Sequence, residues 1–248
     1  MTMRAVSFGQ RPDLDERWDE TVGPAWPEFL LHGSMVNQHW HHLFDDHPAF
    51  QLYLIDETTD EVLGVANTLP FAWDGEIEHL PGGVDDVIVL AVAQHAEGIE
   101  PTTLSAMQAV VTPGNRGRGL AGVLLHEMRR LAADAGFADL LAPVRPNWKA
   151  RYPLTPFERY CAWTREDGLP YDPWLRTHVR AGARFAVPAM ASQRVDGTIA
   201  EWETWTGLTF PDSGDYVVDG ALIPVSIDRD IDRGTIVEPN YWMRHPIR

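Results

Sequence analysis

The chain has 248 residues and carries 36 acidic against 20 basic side chains, a formal charge of −16. That length suits one large domain spanning 1–248. No apolar run approaches the ~20 residues that cross a bilayer, the N-terminal stretch has no signal-peptide core, and the single cysteine, Cys161, excludes an intrachain disulfide and a cysteine metal cluster; a cytoplasmic protein with neither nucleic acid nor membrane as partner is expected.

Residues 3–8 read as a first strand, and 14–22 and 27–45 as helices, the second interrupted at Gly33 and closed by Pro48. Residues 50–56 and 61–69 read as two strands joined by a polar turn. The segment 70–101 reads as an insertion, helical over 84–94, where Val87, Leu90, Ala91 and Gln94 share one side. Residues 104–111 are apolar enough for a buried strand; Pro113 and Gly114 break it. A helix is then expected from Arg116 to Ala135, stopped by Gly136. A strand near 138–144 leads into 145–173, whose prolines mark it as loop with a short helix near 157–164. Residues 173–181 form the next helix, ended by Gly182. From 185 to 248 the chain reads as a strand-rich extension, and its last residues either fray or are tied down by Trp242 and Met243.

The stretch 104–136 carries the most chemistry. A strand that feeds a helix through glycines leaves backbone N–H groups unpaired and aimed at one spot. Together with the positive helix end they suit a phosphate or pyrophosphate. Arg116 and Arg118 add charge, so a phosphorylated small molecule is the expected ligand. Gly117-x-Gly119-x-x-Gly122 also matches a dinucleotide fingerprint. Against that reading, Pro113 to Arg116 separate the strand from the first glycine, and the next strand ends in Val144 and Arg145, not in an acid for a ribose. A purely structural glycine turn is the remaining alternative.

Arg116-x-x-Gly119-x-Ala121 resembles the Arg/Gln-x-x-Gly-x-Gly/Ala signature of the GNAT acyltransferases. The order of strand, basic glycine turn, helix and strand agrees over 104–147, and the likeness resumes at 175–185. The resemblance implies an α/β fold: a mixed, mostly antiparallel sheet flanked by helices. It implies direct transfer of an acyl group, acetyl first, from acyl-CoA to the amine of a small molecule, with acyl-CoA as co-substrate and no metal. It places CoA on the backbone of Val110 and Val111, on Arg116, Gly117, Arg118, Gly119, Leu120 and Ala121, and on Asn147. Arg145, Lys149 and Arg151 join the two arginines of the turn as a local basic set. A homodimer is compatible with this reading.

Many relatives carry a glutamate base on the CoA strand, but residues 104–111 contain no acid; Ser105 and Gln108 could at most hold a water. Base candidates are Asp74, Glu76, Glu78 and His79. The family commonly supplies a tyrosine four residues before a Gly-Phe pair, and that offset falls here on His178. A histidine there could protonate the departing thiolate; Tyr152 and Tyr160 are rivals. The missing glutamate also fits a non-catalytic acyl-CoA sensor or binding subunit. His39, His42 and Asp46 share a helical face that would suit a divalent ion, although solvated histidines are commoner.

Overall fold

The computed structural model describes residues 2–17 and 22–247, so the latter part of the helix expected at 14–22 lies outside the described residues. Side-chain alternation builds the first half of the sheet. In β2 (Gln51–Asp56) Leu52 and Leu54 join one apolar cluster while Tyr53 and Ile55 join another on the opposite face. β3 (Val62–Phe71) is buried along its whole length, because both of its faces are covered. β1 (Met3–Ser7), β2, β3 and β4 (Thr103–Val111) pair antiparallel in chain order, and β5 (Asp139–Val144) lies parallel to β4.

The second half of the sheet returns from the far end of the chain. β9 (Arg233–Pro246) pairs antiparallel with β5, with β6 (Arg184–Gly197) and with β8 (Val225–Asp228), and β7 (Gly214–Tyr216) closes the edge on β8. Among the described residues the nine strands form one sheet in the order β1-β2-β3-β4-β5-β9-β8-β7, with β6 also on β9. The expected mixed, mostly antiparallel sheet is therefore present. The last strand is tied down: Trp242 and Met243 are buried, and the Trp242 indole N–H donates to the Pro81 carbonyl at 2.8 Å.

Helices cover both faces. α4 (Leu120–Asp134) lays Leu120, Leu124, Leu125 and Met128 over β2, β3 and β4. On the other face, α3 (Val84–Ala96) places Val87, Ile88 and Ala91 against Leu69, Phe71 and Trp242. The expected helix at 27–45 is instead a 3₁₀ turn at Glu28–His32 followed by α1 (Ser34–His39) and α2 (His42–Asp45), because Gly33 takes an extended conformation between them. α5 (Phe157–Cys161) and α6 (Pro173–Arg180) pack over the end of β5. The extension from 185 also contains a helix that a strand reading misses, α7 (Ile199–Thr206). Thr198 and Glu201 form its capping box, and Trp202 is its buried anchor.

The start of α3 is tied to β6. The Val84 N–H donates to Ser192 Oγ at 3.0 Å and the Arg194 N–H donates to Asp85 Oδ2 at 2.7 Å. Burial pushes the Asp85 carboxyl up to about 6, against the pull of the Arg194 hydrogen bond. A raised folded value means that the fold favours the protonated form, so the stability it lends is present below the ordinary carboxylate value and lost as pH rises through about 6. Asp85→Asn should remove this dependence. Melting curves at about pH 4 and about pH 7 should show the variant gaining on the wild type at the higher pH; an equal difference at both would refute the assignment.

Candidate active site

The central event in the sheet is a parting of strands. β4 and β5 pair only at Leu104 with Leu140 and at Ser105 with Leu141. The closed end is pinned: Thr103 Oγ1 donates to the Asp139 carbonyl at 2.9 Å, and Arg244 grips the Asp139 carboxylate at 2.7 and 2.8 Å. Beyond Ser105 the strands separate, and a cleft of about 810 Å³ opens between and above them. Along β4 the Thr112 N–H donates to the Leu63 carbonyl at 3.1 Å. By antiparallel alternation the Val110 N–H then also faces β3, and the N–H groups of Ala109 and Val111 face the open side.

The cleft runs to the start of α4. A 3₁₀ turn at Pro113–Asn115 follows β4, and Gly117 and Gly119 both take φ +78° before the helix begins at Leu120. The expected start at Arg116 is thus corrected by one turn: left-handed residues cannot continue a right-handed helix. Asn115 braces the turn, its amide donating to Glu61 Oε1 at 3.0 Å and to Thr112 Oγ1 at 2.9 Å. A Cβ built at Gly117 or Gly119 meets no heavy atom within 4 Å, so open space lies over this turn.

At the far side of the cleft stand Trp26 from the N-terminal segment, Trp40 following α1, Gln193 on β6 and Asn240 on β9. Trp26 is held by a relay of amides. Its indole N–H donates to Gln108 Oε1 at 3.1 Å, Gln108 Nε2 to Asn67 Oδ1 at 2.8 Å, and Asn67 Nδ2 to Gln51 Oε1 at 3.0 Å. Gln108 is therefore a structural bracket with both ends occupied. α6 brings His178 to the same cleft. Asp172 caps this helix, accepting from the N–H groups of Trp174 and Leu175, and its other oxygen accepts from Tyr160 Oη at 2.8 Å. Trp174 stands edge-on to the His178 ring at 4.3 Å.

No protein-family model matches the chain. Over 268 residues it is 28% identical to the arginine N-acetyltransferase avaD of Aspergillus versicolor, a match covering 96% of this chain and 91% of that protein. Its fold is similar to that of the loading GNATL domain of CurA from Lyngbya majuscula, with a TM-score of 0.58 at 16% identity over 99% of this chain and 97% of that one. It is also similar to the GphF GNAT-like decarboxylase in complex with isobutyryl-CoA, with a TM-score of 0.53 at 15% identity over the full length of both. The chain has a GNAT-like fold.

Within this GNAT-like fold the structure gathers most of the residues singled out in the sequence. Val110, Val111, Arg116, Gly117, Gly119, Leu120, Ala121, Asn147 and His178 all line the one cleft. Arg118 is not part of the lining; its guanidinium donates to Asn115 Oδ1. Tyr152 also stands apart, its hydroxyl 2.9 Å from that of Tyr171 and its ring edge-on to Trp163 at 5.0 Å. Of the expected basic set, Lys149 is fully buried and donates to the carbonyls of Tyr152, Pro153 and Leu222, and Arg151 stacks on Trp148 at 4.5 Å. The base candidates Asp74, Glu76, Glu78 and His79 are exposed and outside the lining, with His79 Nδ1 at 2.5 Å from Asp74 Oδ2. Cys161 is buried, and burial pushes its thiol up to about 12, which keeps it protonated and unreactive. His42 bonds Asp46 at 2.7 Å, but among the described residues no cluster of three or more His, Cys, Asp or Glu could hold a metal ion.

Trp26, Asn240 and Gln193 carry no local motif and were not legible as cleft residues. Arg145 lines the cleft but is already paired: it binds Glu238 at 2.7 and 3.0 Å and the Gly220 carbonyl at 2.5 Å. The Glu238 carboxylate is 1% exposed and also accepts from the Leu222 N–H at 2.7 Å. Arg145→Met leaves that carboxylate buried without its cation, a loss on the order of 3–5 kcal/mol in unfolding free energy. Adding Glu238→Gln should recover a large part of it. Urea unfolding of the single and double variants checks this; additive losses would contradict it.

Proposed function

We propose that this protein is an acyl-CoA-dependent N-acyltransferase that takes acetyl-CoA and delivers the acetyl group to the amine of a small molecule by direct attack in a ternary complex. The observation that carries the proposal is the parted strand pair: a free β4 edge that leads straight to an open glycine turn at a helix start. An elongated donor with amide groups at one end and phosphates at the other fits such a track. The β4 edge offers N–H groups to the amides as an added strand would. The turn at Gly117 and Gly119 and the first N–H groups of α4 offer a positive cradle to the pyrophosphate. Arg116 adds its charge from the same wall, and Asn147 faces the cleft from the loop after β5.

When bound, the thioester supplies the activated acyl carbon. The chain supplies the rest. N–H groups on the open side of β4, at Ala109 and Val111, polarise the acyl carbonyl. His178 belongs to the lining, and its Nε2 is buried there without a protein partner; a small turn of the ring on ligand binding would let that nitrogen reach the departing sulfur as a hydrogen-bond donor. Burial, with a smaller contribution from His245, holds His178 well below the ordinary histidine value. It therefore acts as a neutral ring N–H, and its own titration should put no limb in the rate profile between about pH 6 and pH 8. The full-length likeness to an arginine N-acetyltransferase supports an amine acceptor and puts arginine first in any acceptor panel.

Three substitutions test the reading. Gly119→Val places a branched side chain at a left-handed position over the turn and should abolish acetyl-CoA binding in calorimetry. A Cβ there meets no neighbour, but valine is strained at φ +78°, so a melting curve first establishes that the variant is folded; unchanged affinity in the folded variant would sink the cradle. Arg116→Ala should weaken acetyl-CoA by about 1–3 kcal/mol, the scale of a hydrogen bond to a charged group, and the loss should shrink for a pantetheine thioester without phosphates. His178→Ala should lower kcat by about 10²–10⁴-fold while acetyl-CoA affinity holds. Full turnover by the folded variant would remove the donor role.

A further inference from the structure

The cleft is cationic in a chain that is otherwise strongly acidic. Among the described residues its lining includes Arg116 and Arg145 and no aspartate or glutamate. Arg116 follows β4 and Arg145 follows β5, so the parted strands set the two guanidinium groups on opposite walls. The proposed pyrophosphate answers the first. The second calls for another anion.

Arg145 is built as a fixed donor. Glu238 holds Nε and Nη2 at 2.7 and 3.0 Å, and the Gly220 carbonyl also takes a proton of Nη2 at 2.5 Å. Nη1 makes no hydrogen bond among the described residues, and it is not one of the polar atoms sealed from solvent without a partner. The side chain is 16% exposed, against 1% for that of Glu238. The open part of this cation is therefore Nη1, and the residue lines the cleft.

Glu238 does not cancel the charge. Its carboxylate also accepts from the Leu222 N–H at 2.7 Å, and the Leu222 carbonyl accepts from Lys149 Nζ at 2.5 Å. Lys149 donates as well to the carbonyls of Tyr152 and Pro153. Three acceptors call for three N–H donors, which only the ammonium form carries. Two cations thus share one carboxylate, and a spare positive charge in a water-poor wall strengthens a hydrogen bond to an anion.

The surroundings of Arg145 say which anion. Gly220 packs on the N-terminal segment, since a Cβ built there would stand 2.7 Å from Pro27 Cγ. Arg145 therefore lies where Trp26 and Pro27 close the cleft, on the wall across from the glycine turn. A molecule entering there meets a guanidinium and the carboxamides of Gln193 and Asn240, with no acid to hold a bare cation. We propose that Arg145 binds a carboxylate of the acceptor through Nη1, so that the acceptor is an amino acid and not a simple amine. The inference rests on the acyltransferase reading and names the substrate class of the same cleft.

The test is acetyl transfer by the full-length protein to matched acceptors, each amino acid beside the amine that lacks its carboxylate: arginine with agmatine, tryptophan with tryptamine, lysine with cadaverine. In the pair turned over fastest the amino acid should lead by about 10–100-fold in kcat/KM, the scale of a hydrogen bond between charged groups. In the double variant Arg145→Met with Glu238→Gln, shown by its melting curve to be folded, that ratio should fall to near one while acetyl-CoA affinity in calorimetry holds. A wild-type protein that turns over the decarboxylated amine as well as the amino acid overturns the inference without any variant. So does a folded double variant that keeps the ratio. So does one that loses acetyl-CoA affinity and keeps its preference, which gives Arg145 to a phosphate of the donor. Absence of transfer to every member of every pair overturns instead the acyltransferase reading on which the inference rests.

Discussion

The structure depends on a sheet that is made to come apart in its middle. A parallel pair such as β4 and β5 would normally continue its ladder and leave no room between the strands. Here the ladder stops after Ser105 and Leu141. The side chains at the closed end, Thr103, Asp139 and Arg244, hold the strands together there. At the open end Pro143 brings no N–H to β5, and its carbonyl accepts from the Asn240 side chain at 3.1 Å. An open edge in a sheet interior would be a liability unless something else filled it. The proposed acyl-CoA, pairing like a strand, would fill it.

Everything around the cleft serves to hold the two walls in place without closing them. α4 clamps the β4 wall through its apolar face, and the glycine turn at its head leaves backbone donors pointing outward. β9, the last strand, clamps the β5 wall along residues 139–144. Helix α6 hangs from Asp172, which caps it and anchors Tyr160 and the Trp148 N–H at 2.8 Å. Buried polar groups do this positioning because each is satisfied by a partner from a distant segment. Arg145 with Glu238 and the Trp26–Gln108–Asn67–Gln51 relay both follow that rule.

The resting chemistry of the site follows from burial more than from charge. The chain is strongly acidic, yet its exposed acids near the cleft sequence, such as Asp74, turn to neighbours on the surface. His178, one of the residues that line the cleft, is stripped of water, and burial favours its neutral ring.

The sequence by itself determined the strand, glycine turn and helix at the heart of the site, because that signal is local. The turn needs φ > 0, only glycine takes it readily, and the spacing to the apolar stripe of α4 is readable along the chain. That His178 reaches the cleft was legible for the same reason, since helix periodicity fixes a face. Tertiary structure alone decided the rest. The helix α7 was hidden inside a strand-like composition, although its capping box was written at Thr198 and Glu201. Lys149 and Arg118 look like ligand groups in sequence and are consumed by carbonyls and an amide in the fold. His245, in a tail that could have frayed, becomes the hydrogen-bond partner of His178, 67 positions away. Nothing local announces such a pair, because the physical reason for it, a strand inserted beside β5 from the far end of the chain, exists only once the sheet has closed around it.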